Sequence, residues 1–524
     1  MLACVGSRCQ LDALVKERTT MNARFLNHFC AWTILIVPFA LLAAGPRITF
    51  QKVGSYKTTN DVRAVKVLGN RAYVCADVFL ILDVSDPSKP VRLGSYRPQA
   101  GAFWPRDVQV LGNFAYVADE ERGLHEVDVS DPSQPRLARL YPEQQLGDPP
   151  RVGASVVHLA GGHAFVAWRD LVFREKWQLE VLDISRPGDM VRVGFYEDPG
   201  FILDVEVDVA GRYAYALDFD LGSRGALLVL DVSSPNKPVL VGSYRDIVVP
   251  RRLRVDGDYV FVTSELGLEV IDVSTPAKPT RVGFYQVPGG GSSLDLEGGL
   301  AFFRGYFQAP LYAVDLREPT RPELRGFARI GARSFGNLGL DVAGNLVYVA
   351  ELSDPPWDFD VSLDIYRFTY QHTIAWDLPA YTRTNRSPLM LTATASSGLP
   401  VSYELLSGPA ILSGNTLTLT GLGPVKVRAM QPGNELYVPA VVERTMTVLD
   451  VAALFLGIST KPSQQVEIAL DGPPGASFLL EAAERLGPAA QWRTLLHTNP
   501  ATGLFLFVDT DAQSGQRFYR MRQP

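Results

Sequence analysis

The stretch LILDVSDPSKPVRLGSYRP, Leu80 to Pro98, returns along the chain with small changes. EVDVSDPSQPRLARLYP begins at Glu126, LVLDVSSPNKPVLVGSYRD at Leu228 and EVIDVSTPAKPTRVGFYQV at Glu269. Aligned on the Asp that closes each apolar run, the anchors are Asp83, Asp128, Asp183, Asp231, Asp272, Asp315 and Asp364, spaced 41 to 55 residues apart. Before most anchors stands a second shared element, apolar-Gly-x-x-apolar-aromatic-apolar, as in VLGNRAYVCAD (67–77), VDGDYVFVTSE (255–265) and VAGNLVYVAE (342–351). Seven copies at this spacing mark an array of like units.

Each copy reads as four short strands. In the first they are VRAVKVL, RAYVCA, VFLILDV and VRLGSY, with alternating apolar and polar residues and a Gly, Asn, Asp or Pro at each break. No stretch among the copies has helical periodicity. Four antiparallel strands per repeated unit predict a β-propeller, with a solenoid of small sheets as the alternative. The seventh copy lacks a fourth strand, and an orphan, ITFQKVGSY (48–56), stands before the first copy and matches VRLGSY. The expected fold class is therefore all-β: a seven-bladed β-propeller closed by its N-terminal strand, followed by two small β-sandwich domains. Closure removes sheet edges that otherwise invite aggregation.

The repeated motif has a mechanical reading. Asp83 accepts backbone N–H groups as the chain turns, Pro87 fixes a turn φ, and Pro90 opens the outer strand, where a missing N–H costs little. Gly94 is expected to permit a bend and Tyr96 to cover the sheet's flank. Met190 replaces the second proline in the third copy. YVADEERGLHEVDVSDPSQP from Tyr116 and YVFVTSELGLEVIDVSTPAKPTRVGFY from Tyr259 resemble the LVIVD repeat of exported and surface proteins of bacteria and archaea. The resemblance spans roughly residues 48–368 and implies a propeller in an extracytoplasmic setting. It implies no catalytic residue.

At 524 residues the chain exceeds one ordinary core. Net charge of −6 argues against nucleic acid as a partner. Asn22-Ala23-Arg24, then AWTILIVPFALLAA (31–44), then Gly45-Pro46 has the layout of a signal peptide over residues 1–44, and Met21 stands where such a peptide begins. The apolar run is short for a membrane span, and no second one follows. The expectation is an exported chain, extracellular, cell-surface or periplasmic. Cys4, Cys9 and Cys30 precede the cleavage point, which leaves Cys75 alone in the apolar strand AYVCA and reads as a buried, inert thiol.

The reading places the propeller at 45–368 and two β modules after it, 369–450 and 451–524. The first resembles bacterial Ig-like domains through TIAWDLP, LTATASSGLPVSY, LTLTGLG and PGNELYVPA. The second, with Trp492 and a closing Phe518-Tyr519-Arg520, resembles a tail module of large exported proteins.

Catalytic signatures are absent: no HExxH, G-x-S-x-G, phosphate-binding Gly loop or CxxC. His158 and His163 flank one turn, where a hairpin brings them near each other. Asp77, Asp119, Asp218, Glu265 and Glu351 recur after the second strand and read as turn residues. Asp218-Phe-Asp220 and Asp358-Phe-Asp360 resemble fragments of calcium loops without enough ligands, so no cofactor is expected, with calcium as the alternative. Ordinary scaffold does not demand variety at matching positions, which directs attention to the channel mouth, where the first strands begin with residues that differ from copy to copy. The candidate binding residues there are Arg63, Trp104, Arg106, Asp107, Glu206 and Arg252. The expected function is non-enzymatic recognition of an extracellular or cell-surface protein or glycan, with the C-terminal modules as spacer and attachment. The alternatives are a hydrolase or lyase acting on a polymer in the channel, and a structural surface component.

Overall fold

The computed structural model describes residues 47–522, apart from 60, 100, 143–151, 171–176, 199–200, 209–210, 220–223, 306–309, 331–338, 353–360, 450–453, 461–465, 472–476, 485–490, 499–503 and 510–516. The signal-peptide reading, the three early cysteines, Asp220 and the Asp358–Asp360 loop lie outside the described residues. From Ile48 to Tyr370 the protein forms seven four-stranded antiparallel sheets, built as propeller blades are. Within each of the first six, strands are ordered in space as in sequence, so the first and fourth are edges. The seventh sheet takes Ile48–Thr58 as its outermost strand, paired with Val361–Tyr370 from Ile48↔Tyr370 to Thr58↔Val361.

Apolar clusters lie between successive sheets, because the second and third strands of each sheet are mostly apolar and buried on both faces. Tyr73, Phe79 and Ile81 of the first sheet pack with Val108, Val117 and Val127 of the second. Val65, Leu80 and Leu82 of the first sheet also pack with Tyr348, Leu363 and Ile365 of the seventh.

The outer edge explains the repeated motif. Asp83 Oδ1 accepts the Ser85 N–H at 2.8 Å, and Asp128, Asp231 and Asp272 do the same for Ser130, Ser233 and Ser274. These bonds to Ser85 hold the Asp83 carboxyl below its ordinary range. Gly94 is not in a left-handed conformation. Its role is close approach: a Cβ there runs into the carbonyl oxygen of Pro132, in the turn of the next sheet. Gly54, Gly194, Gly242 and Gly283 meet the carbonyls of Pro87, Pro235, Pro276 and Pro319 in the same way. The bend expected at Gly94 does fall beside a register shift, between Ile81 and Leu82, but backbone contact is what excludes a side chain. Arg139 takes the glycine's place in the second sheet, ahead of the third copy's altered turn at Pro187-Gly188. Tyr96 is buried and reaches the second sheet, where its hydroxyl bonds His125 Nδ1 at 3.0 Å.

The seventh sheet's last strand runs on to Tyr370, against which the 432–439 segment packs: Tyr370 N–H donates to Leu436 at 2.7 Å and Val438 N–H to Tyr370 at 3.1 Å. Beyond it, a four-stranded sheet and a three-stranded sheet between Tyr381 and Leu449 enclose one core of Leu391, Leu417, Val425, Val427 and Met446. A last pair of three-stranded sheets shares Ile468, Leu470 and Leu480. The Gly94→Val variant forces a side chain into the Pro132 backbone and is expected to lose about 1–3 kcal/mol of stability. Urea unfolding measures this, and parental stability would refute the close-approach role.

Candidate functional site

The first strand of each sheet is an edge, and its side chains line a cavity of about 270 Å³. The pairing register sorts those side chains into two tiers. One tier lies opposite the aromatic residue of the second strand: Lys66, Gln109, His158 and Glu206 on the first four sheets, then Arg254, Asp295 and Asp341. The other tier, nearer the strand starts, holds Asp107, Val156, Asp204, Arg252 and Ser293, with only Ala64 and Gly339 completing it.

Edge strands leave backbone N–H groups without a partner strand. Carboxylates supply the acceptors here. Asp107 Oδ2 accepts the Val157 N–H of the next sheet at 3.0 Å, and Asp204 Oδ2 that of Leu253 at 2.9 Å. Glu206 accepts Val255 N–H at 3.0 Å, Asp295 accepts Val342 N–H at 2.8 Å, and Asp341 accepts Val67 N–H at 2.7 Å. The last of these joins the seventh sheet to the first.

Three of these carboxylates also face a basic side chain: Asp204 with Arg252 at 3.8 Å, Asp295 with Arg254 at 3.1 Å, and Asp341 with Lys66 at 2.9 Å. Burial pushes Glu206 up to about 7, against the pull of Arg254, and Asp107 up to about 6, against that of Arg252. Burial likewise raises Asp341. Burial, then Arg254 and Lys66, lowers His158 to about 4, so its imidazole is neutral at physiological pH. Burial opposes the charge on Arg254, yet Asp295 and Glu206 outweigh it and raise its pKa. Among the described residues no group of three or more His, Cys, Asp or Glu side chains is placed to hold a metal ion.

Of the six candidates, Arg63, Asp107, Glu206 and Arg252 line the cavity. Trp104 and Arg106 stand outside it. Arg63 donates to the Ala76 carbonyl at 2.7 Å, and its guanidinium lies 4.0 Å from the centre of the Trp104 ring, which is 48% exposed. Asp119 accepts the Trp104 backbone N–H at 2.8 Å and is bonded in turn to buried His125 at 3.2 Å, so it positions the strand start as well as its turn. Arg106 faces Glu120 at 3.6 Å. His158 lines the cavity while His163 Nδ1 bonds the Gly161 carbonyl at 3.0 Å, so the hairpin does not form a two-histidine site. Cys75 is free and buried, and burial raises its thiol well above the ordinary range.

Sequence reasoning missed Lys66, Gln109, Asp295 and Asp341, whereas the Arg251–Arg252–Arg254 run already drew attention to Arg254. A signal was present: in six copies a polar residue between two apolar ones stands three positions before the turn glycine, as in VKVLG, VQVLG and LRVDG.

The family model for the LVIVD repeat matches residues 60–97, 105–142, 205–246 and 250–287. The chain carries LVIVD repeats. The four matches fall on the first, second, fourth and fifth sheets, three of which have the complete glycine and proline pattern. Among solved structures, the computationally designed Ika8 protein is 9% identical, with a TM-score of 0.42 over 60% of this chain and 99% of that one. A chain of the mitotic checkpoint complex is 10% identical, with a TM-score of 0.46 over 66% of this chain and 99% of that one. No curated protein matches the chain.

Glu206 retains its proton at pH values where the unfolded chain, near 4.5, has released it. Ionising it therefore costs stability, an effect absent below about 4.5 and complete above about 7. Urea midpoints taken at about pH 5 and about pH 8 are expected to fall less in Glu206→Gln than in the parent. An equal fall in both would show that Glu206 does not titrate in this window.

Proposed function

We propose that residues 48–370 form a closed seven-bladed β-propeller and that the protein is an exported, non-enzymatic recognition protein. The completion of the seventh sheet by Ile48–Thr58 and the apolar cluster joining that sheet to the first support closure. Removing residues 48–58 is expected to lower the melting temperature by about 10 °C or more, because a whole inter-sheet junction is lost with the strand. A truncated chain that melts as the parent does would count against closure.

The observation that carries the recognition reading is the pairing of constant scaffold with variable lining. The second and third strands repeat apolar residues from sheet to sheet, whereas the two cavity tiers place a different side chain on almost every sheet. A partner, protein or glycan, engages the face where Trp104 and Arg63 meet the cavity, and the modules after Tyr370 act as spacer and attachment. An exposed tryptophan held beside a guanidinium offers a platform for a sugar ring or an aromatic side chain.

A hydrolase or lyase is the second reading. It is favoured by the gathering of five carboxylates in one cavity, with Glu206 raised to about 7. A glycan array and a pull-down with the full chain test the first reading, with Trp104→Ala expected to weaken capture at least tenfold. Polymer cleavage by the parent, lost in Glu206→Gln, would replace recognition with catalysis.

A further inference from the structure

We propose that the cavity binds a small organic cation carrying a single ammonium group, held between Asp107 and Glu206 beside His158. The proposal rests on the reading of the channel as a recognition site and names what enters it. Among the described residues five carboxylates line the cavity against four basic side chains, Arg63, Lys66, Arg252 and Arg254, a formal excess of one acidic group. Arg63 is committed to the Ala76 carbonyl and the Trp104 face. Lys66, Arg252 and Arg254 each face their own carboxylate within 4 Å.

Asp107 and Glu206 remain. Among the described residues their hydrogen-bond partners are backbone N–H groups alone, Val108 and Val157 for Asp107 and Val255 for Glu206. They stand on the second and fourth sheets, and the neutral imidazole of His158 stands on the third, between them. Arg252 and Arg254 pull on them, but each is paired with another carboxylate, and burial still favours the protonated form of Asp107 and Glu206. An ammonium supplies the missing charge, and its three N–H donors match two carboxylates and one imidazole nitrogen.

A second observation places the rest of the ligand. Ser293 is 3% exposed and lines the cavity, and its Oγ has no hydrogen-bond partner among the described residues. Ser293 belongs to the tier in which Gly339 and Ala64 carry almost no side chain, so a hollow with an unused hydroxyl faces the carboxylate side. A buried hydroxyl without a partner calls for one from the ligand. At about 270 Å³ the cavity lies below the roughly 300–1,000 Å³ of sites that enclose drug-sized molecules, which restricts the ligand to a small amine with a few hydroxyls. Among the described residues no Phe, Tyr or Trp lines the cavity, which removes stacking on such a ring as the main attraction there.

Calorimetric titration of the full chain with glucosamine and with glucose separates charge from shape, since the two differ by the amine. Glucosamine is expected to bind at least tenfold more tightly than glucose. Glu206→Gln and Asp107→Asn are each expected to weaken glucosamine at least tenfold, and Ser293→Val to weaken it by filling the hollow. Equal affinity for the two sugars, binding of neither, or complete displacement of glucosamine by potassium chloride overturns the proposal. Should one carboxylate variant fail to fold, the other and Ser293→Val decide. Partner capture that depends on Trp104, in a chain that ignores glucosamine, would sink this inference alone. Absence of both would remove the recognition reading as well.

Discussion

A four-stranded sheet has two edges, and an edge strand presents backbone N–H and C=O groups that no neighbouring strand satisfies. That constraint organises the protein from Ile48 to Tyr370. At the outer edge, a glycine without a side chain lets one sheet's fourth strand lie directly against the carbonyl of a proline in the next sheet's turn. At the inner edge, carboxylates reach across and accept the N–H groups of the next first strand. The fourth and fifth sheets, and the seventh and first, are thus tied at both ends of the apolar layer between them. The two ties differ in kind, steric at the rim and electrostatic at the centre.

The outer tie is why the opening motif is a unit. Asp83, Pro87 and Gly94 look like three separate turn features, but the proline and the glycine belong to different contacts. Pro87 receives Gly54 from the strand that completes the seventh sheet, while Gly94 goes forward to Pro132. Where a copy keeps both residues, its sheet is a donor and an acceptor at once. The third copy tests this logic within the molecule. Its turn is altered at Gly188 and Met190, and the preceding sheet carries Arg139 where the others have glycine. Glu126 then takes up the slack by accepting the Gly188 N–H at 2.8 Å.

Strand count, strand order and the pairing of ITFQKVGSY with the last copy were legible in the sequence, since alternation and turn residues are local properties. The role of Gly94 was not, because close approach depends on a residue some forty positions away in another sheet. The cavity was legible in part. Arg63, Asp107, Glu206 and Arg252 stand out as polar residues near strand starts, but Trp104 and Arg106 share that property and lie outside. What separates them is register. Pairing shifts between Pro105 and Asp107, between Ala154 and Val156, and between Ile202 and Asp204 decide which side chain of each first strand faces inward. Lys66, Asp295 and Asp341 escaped notice because a single charged residue inside an apolar strand reads as its solvated face.

The inner tie links architecture to chemistry. A carboxylate that clamps a neighbouring strand must be buried enough to reach it, and burial raises its pKa, as at Asp107, Glu206 and Asp341. Where Lys66, Arg252 or Arg254 stands beside the clamp, the charge is met within the protein. At Asp107 and Glu206 the pull of Arg252 and Arg254, each paired with another carboxylate, does not offset burial, and the same clamp leaves a demand for positive charge facing the cavity. The scaffold and the proposed ligand site therefore share atoms. A substitution on this face trades sheet cohesion against recognition, and a bound cation would strengthen the very contacts that hold the second and fourth sheets to their neighbours.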